Sequence, residues 1–279
     1  MLPPIPLDRW IEWTVDWLES NLTGFFNLLS AIISGLVDLF SFLFHTPPPL
    51  LLIAIFAAIA YMFGKWKLSL FTIIGLGLIH NMELWEATMD TLALVVSSAF
   101  ISVIAGIPIG ILCTRSKTAE RIVTPMLDFM QTMPAFVYLI PAVTFFNLGV
   151  VPGVIASVIF AIPPTIRLTL LGIRQVPQEL GEAADAFGTT SMQKLVKVEL
   201  PLAWPTVMAG VNQTIMLSLS MVVIASMIGA EGVGAAVYRA VTQLKIGQGF
   251  EAGLAIVVLA IMLDRLTQGA MKSKRKSKG

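Results

Sequence analysis

Charge is scarce in this chain. Asp, Glu, Lys and Arg make up 13% of its 279 residues and hydrophobic types 56%, where a soluble domain carries about 25% charged residues. With a mean hydropathy of +0.85, a soluble globular domain is excluded and a polytopic, all-α membrane protein is left. Cysteine occurs once, as Cys113, so no internal disulfide can form. His45 and His80 lie far apart, with no His-Glu-x-x-His pattern and no cysteine cluster, which argues against a zinc site. A Gly-x-Ser-x-Gly elbow is missing. So is a phosphate loop, because Gly64-Lys65 runs into Trp66 and lacks the hydroxyl that would hold Mg²⁺. The chain therefore cannot hydrolyse ATP by that route and is not expected to be an enzyme. Aromatics reach only 9%. No nucleic-acid partner is expected either.

What is present is a succession of apolar runs. In residues 1–23, Trp10, Trp13 and Trp17 recur at helical spacing opposite Glu12, Asp16 and Glu19, which predicts an amphipathic helix at the membrane interface. The acids from Asp8 to Glu19 argue against a cleavable signal peptide. Over 24–44 a polar stripe follows: Asn27, Ser30, Ser34, Asp38, Ser41 and His45. Such a stripe predicts a helix lying flat on the membrane surface; the alternative is a span with the stripe turned against other helices. Residues 1–48 thus form an interfacial unit, closed by the Pro47-Pro48-Pro49 turn.

Runs at 49–64 and 68–83 flank Lys65-Trp66-Lys67 and predict an accessory hairpin within 49–85, its basic turn in the cytoplasm. Further runs at 91–113, 133–149, 151–172, 206–229 and 250–270 bring the count to seven spans, or eight if 24–44 crosses. Residues 86–270 form the main unit. Five of the last nine residues, Lys272, Lys274, Arg275, Lys276 and Lys278, make 271–279 a basic cytoplasmic tail. With seven spans the N-terminus is then outside, and 114–132 and 173–205 are inside. Prolines and glycines interrupt several runs (Gly106, Pro108 and Gly110; Pro134 and Pro141; Pro163-Pro164), either as kinks or as helices broken beside a permeation path.

One polar stretch between two apolar runs organises the rest. In 182–201, Gly188 can close a first helix in the left-handed conformation, after an N-terminal half rich in acids. Thr190 and Gln193 predict a capping box for a second helix, ending before Pro201. The spacing of Glu182-Ala183-Ala184, Gly188, Val198 and Leu200-Pro201 resembles the EAA loop of binding-protein-dependent ABC importer permeases. Val198 stands where that family usually has Ile.

The resemblance extends from about Leu84 to Gln268. Within the type I importers the chain is most similar to permeases for glycine betaine and proline betaine, through Leu127–Tyr138, Phe160–Thr169, Met208–Thr214 and Leu263–Gln268. What this resemblance implies is a coupling loop, 173–205, that docks on a separate ATPase through Glu182, Ala183, Ala184, Gly188, Val198, Leu200 and Pro201. It further implies two ATPase copies, a second permease copy, an external solute-binding protein, and ATP with Mg bound by the partner only. The multi-pass chain would sit in the plasma membrane, in contact with the lipid bilayer. Gln131, Thr132, Asn212, Gln213, Thr214 and Ser218 are the candidates for the path, although polar side chains at such depth face either a cavity or a partner helix and most of them are expected to serve as hydrogen-bonded links between helices. Asp264 and Arg265 read as an interfacial anchor, and Arg167 as an ion partner within the bundle. The alternative function is an ion-coupled secondary transporter; that would need embedded acids, for which only Asp90 and Asp264 qualify.

Overall fold

The computed structural model describes residues 6–276, and these are almost wholly helical. The first helix, α1 (Leu7–His45), is kinked at Leu22 (φ −115°, ψ 17°), where the amphipathic segment meets the polar stripe. Next come α2 (Pro49–Asn81), α3 (Trp85–Arg115) and α4 (Lys117–Thr132). The chain continues as α5 (Leu139–Phe146), α6 (Val150–Arg174), α7 (Gln178–Ala186) and α8 (Ser191–Lys194). Last are α9 (Leu200–Ser226), α10 (Val233–Thr242) and α11 (Ile246–Lys276). Side chains beyond Met271 lie outside the described residues, and with them the basic tail. Among the described residues six helices are long and apolar enough to cross a membrane, or seven if the bent α4–α5 pair counts as one span.

Helices α3, α6 and α9 form the centre. Gly106 and Gly110 of α3 bring its backbone onto α6: a Cβ on Gly110 would lie 2.6 Å from the Thr169 Cβ and 2.9 Å from the Ile166 carbonyl. Small residues serve close approach where apolar burial gives no driving force between helices. These glycines therefore pack. Nor do the prolines break their helices: α3 runs through Pro108 and α6 through Pro163-Pro164 without interruption.

The run at 133–149 departs from expectation. Pro134 holds Met133 extended (φ −71°, ψ 138°) and ends α4. One tight 3₁₀ turn, Ala135–Tyr138, then leads into α5, which is only eight residues long. The α4–α5 pair is bent by 112°. Residues 114–132, expected on the inside between two spans, are thus mostly the amphipathic α4, and 133–149 is no continuous span.

In α2 the chain turns back on itself at Lys65, where φ is 59° and ψ −162°. Leu52 and Ile79 share one apolar cluster with Trp85 and Met89, although an unbroken helix would set them about 40 Å apart. Phe63, close to the turn, lies against Gly269 near the far end of α11. The chain thus reverses direction within α2, its second arm ending at Asn81.

Helix α1 has the length and hydropathy of a span, yet it lies mostly across one end of the bundle. Phe26 stacks on Phe145 with ring centres 4.4 Å apart. Ile33 joins Leu94, Val154, Leu219 and Ala225, and the His45 Nε2 atom is 3.4 Å from Glu86 and 3.3 Å from Asp90. These partners sit at the end that carries the turns at 147–149 and 227–232. The exception is Phe40, whose ring meets Phe100 midway along α3.

Candidate functional site

The opposite end carries the loop between α6 and α9. Pro177 caps α7 with an extended ψ of 132°. The helix closes in a Schellman motif: Gly188 adopts φ 71°, its N–H donates to the Asp185 carbonyl (2.9 Å), and the Thr189 N–H donates to Ala184 (3.2 Å). The capping box then forms. The Gln193 N–H donates to the Thr190 Oγ1 (3.3 Å), and the Thr190 N–H donates to the Gln193 Oε1 (2.9 Å).

Pro201 does not end this second helix. Leu195–Glu199 forms a π-helical turn, and α9 continues directly from Leu200 with Pro201 in its first turn. Proline lacks an N–H and crowds the carbonyl four residues earlier. The widened turn takes up that misfit, so the chain runs as one helix from Ser191 to Ser226.

Three ion pairs hold the loop to the bundle or to itself. Arg174, closing α6, grips Glu120 of α4 with two parallel bonds of 2.7 and 2.6 Å. Arg115 at the end of α3 meets Glu199 in the π turn at 2.5 Å. Lys194 meets both oxygens of Asp185, at 2.8 and 2.7 Å. The first two fix the loop to the bundle, and the third fixes its two short helices to each other.

The expected coupling residues divide into two groups. Glu182, Ala183 and Gly188 are exposed, and nothing lies within 4 Å of where a Cβ on Gly188 would be. Val198 and Leu200 are half-buried, and Leu200 packs on the cluster of Ile173, Leu195, Ala203 and Val207. Ala184 lends its carbonyl to the helix cap, and Pro201 is exposed on α9. The first half of the pattern is a surface and most of the second is a root. Sequence reasoning missed Phe187, which is 89% exposed; Met192 and Val196, further along the loop, are exposed as well. An aromatic in a polar loop was the available signal.

The expected path residues also separate. Gln131 and Thr132 are exposed where α4 ends. Gln213 lies on a stripe of α9 left uncovered, with Pro205, Ala209 and Ser220. Thr214 is fully buried instead: its hydroxyl meets the Thr165 hydroxyl at 2.7 Å and donates to the Ala161 carbonyl at 2.8 Å, joining α9 to α6. Ser218 is fully buried as well. Asn212 donates to Asp264 at 2.9 Å, and the Gln268 amide donates to the same carboxylate at 2.7 and 2.8 Å. Thr267 donates to the Asn212 carbonyl oxygen. Asp264 is thus the hub of a polar junction between α9 and α11, where an interfacial anchor was expected. Arg167 pairs with Asp128 at 2.5 Å, tying α6 to α4.

Comparison with known proteins identifies this arrangement. Residues 106–272 match the family described as binding-protein-dependent transport system inner membrane component. The chain is 56% identical to the glycine betaine transport system permease protein OpuAB of Bacillus subtilis, over 100% of this chain and 98% of the relative. It is 55% identical to the glycine betaine/carnitine transport permease protein GbuB of Listeria monocytogenes, covering 99% of each. With the glycine betaine/proline betaine permease ProW of Escherichia coli it shares 45% identity, over 97% of this chain and 77% of the relative. A chain of the MetNI methionine ABC transporter, solved in inward-facing conformations, superposes with a TM-score of 0.60 at 21% identity, over 66% of this chain and 92% of the other. That match shows the fold. The chain therefore belongs to the family of binding-protein-dependent transport system inner membrane components: it is the multi-pass permease of an ABC importer, which works with a separate ATPase and a solute-binding protein and is not itself an enzyme.

Proposed function

We propose that this permease imports glycine betaine or a related quaternary ammonium osmoprotectant. The observation that carries the substrate is the run of relatives named for glycine betaine, 45% to 56% identical over nearly the whole of this chain. In this reading two copies of the chain pair with two ATPase subunits, which bind all the ATP and Mg. Each ATPase receives the exposed group of Glu182, Ala183 and Phe187, while Val198, Leu200 and Pro201 root the loop in α9. Gln131, Thr132 and Gln213 face the path; Thr214, Ser218 and Asn212 hold its walls. The N-terminus is outside, α1 lies along the outer interface, and the coupling loop and C-terminus are cytoplasmic, a placement supported by the basic residues at Lys65, Arg115, Lys117 and Arg121.

The test is uptake by vesicles reconstituted with permease, ATPase and binding protein. Glycine betaine uptake should require ATP and the binding protein and survive collapse of ion gradients. Uptake driven by a gradient without ATP would establish the ion-coupled alternative. For orientation, Ser20→Cys in a Cys113→Ala background should react with an impermeant thiol reagent on intact cells. Phe187→Cys should react only after permeabilisation; the reverse pattern overturns the topology.

A further inference from the structure

At the end of the bundle away from the coupling loop, a cavity of about 390 Å³ opens between the start of α3, the 226–232 turn and α10. Asp90, Glu231, Tyr238 and Arg239 line it, with Ser226 beside them. Its volume falls in the range of small-molecule sites. Its charges are of both signs. Asp90 meets His45 at 3.3 Å. Among the described residues Glu231 and Arg239 form no ion pair, with each other or elsewhere. The Arg239 Nε donates only to the Ala235 carbonyl, at 3.3 Å.

The turn that presents Glu231 is held at both ends. The Gly149 N–H donates to the Ile228 carbonyl at 2.9 Å, and the Val233 N–H donates to the Thr91 Oγ1 at 2.8 Å. Between them Gly232 takes φ 120°, and a Cβ there would lie 2.5 Å from that Thr91 oxygen. The acid is therefore set over the cavity by a backbone that only glycine allows.

We infer that this cavity is a low-affinity site for a small zwitterion with a quaternary ammonium head, a hand-over position between the binding protein and the path. The inference rests on the proposed import of betaine. A quaternary ammonium has no N–H to donate, so it is recognised by carboxylates and by an aromatic face. Asp90, Glu231 and the Tyr238 ring offer these together. A carboxylate on the same solute finds the Arg239 guanidinium, whose planar donors suit it. An adjoining cavity of about 470 Å³ shares Arg239 but offers no aromatic ring; Glu83 on its wall serves as the control.

The experiment uses the permease–ATPase complex in lipid nanodiscs, without binding protein, titrated with radiolabelled glycine betaine. Saturable binding in the millimolar range is expected, competed by tetramethylammonium and more weakly by acetate. Glu231→Gln and Arg239→Gln, each eluting as an intact complex, should weaken binding about tenfold, the effect of one partly exposed charge contact. Glu83→Gln should not. No saturable binding, or equal loss in all three variants, overturns the site. In a second assay with loaded binding protein added to the same nanodiscs, a defect of these variants confined to the amount of binding protein needed for half-maximal ATPase, with betaine binding unchanged, would make the cavity a protein dock and also overturns the site. Failure of the whole complex to import betaine even with binding protein would instead remove the substrate assignment itself.

Discussion

The Lys194 ammonium lies within 2.8 Å of both carboxylate oxygens of Asp185, and so sets the angle between the two short helices of the coupling loop. An exposed pair of this kind contributes less than about 1 kcal/mol to stability. Its larger role is geometric. Asp185→Asn or Lys194→Met should insert at normal levels while binding-protein-stimulated ATPase falls several-fold. The exchanged double variant, Asp185→Lys with Lys194→Asp, should recover part of it. Equal loss in singles and exchange would assign the effect to each charge separately.

Gly188 is a test of backbone against volume. Its φ of 71° is left-handed, and nothing lies within 4 Å of the added Cβ position. A β-branched residue there costs about 1–2 kcal/mol of strain. Transport in reconstituted vesicles should therefore fall in the order Gly, Asn, Ala, Val at this position. A ranking by size alone, with Asn below Ala, would mean that the ATPase packs against this position.

Phe187 stands 89% exposed on the loop. A buried aromatic anchor lost from an interface weakens binding by about 2 kcal/mol or more, near thirtyfold. Phe187→Ala should reduce ATPase co-purification by about that factor with the permease still in the membrane. Glu182→Lys should do the same through charge. Unchanged recovery of the ATPase with either variant would take that residue out of the interface.

Thr214 and Gln213 are neighbours with opposite environments. Thr214→Val keeps the shape but removes the hydroxyl shared with Thr165 and Ala161, a loss of about 0.6–1.7 kcal/mol for a membrane hydrogen bond. Its unfolding temperature should drop while uptake per folded complex holds. Gln213→Leu, on the uncovered stripe, should do the reverse. A stable Thr214→Val with poor uptake would put the threonine on the path.

Gly110 of α3 and Gly35 of α1 are both helical glycines, with opposite surroundings. An added Cβ meets Thr169 and the Ile166 carbonyl at the first and nothing within 4 Å at the second. Overpacking of the first kind costs about 1–3 kcal/mol, so Gly110→Ala should lower membrane yield and Gly35→Ala should not. Equal yields would show that α3 can move away from α6.

Local chemistry was legible in the sequence wherever a short rule governs it. The cap at Gly188, the Thr190–Gln193 box and the turn at Lys65 each depend on neighbours within a few residues, and each forms. Pro201 misled because a proline's effect depends on the turn before it, and π-helical widening leaves no compositional trace. The Asp264 junction and the Asp185–Lys194 pair were hidden for another reason. Their partners come together only after helices pack, and hydropathy records how apolar a run is without recording what its polar residues face. Gly106 and Gly110 show the same limit from the other side, since a glycine that bends a helix and one that admits a neighbour look alike in one dimension.

The π-helical turn at Leu195–Glu199 has a mechanical consequence. It stores one residue more than an α turn would, and one residue is about 100° of helical phase. Everything before it, including the capping box, is out of step with everything after it by that angle. The face of α9 that carries Gln213 is therefore indexed to the loop through a single wide turn. Were that turn to tighten, the loop would swing by about a quarter of a revolution against the stripe, while the bonds that hold Thr214 and Asn212 of α9 to α6 and α11 stayed in place.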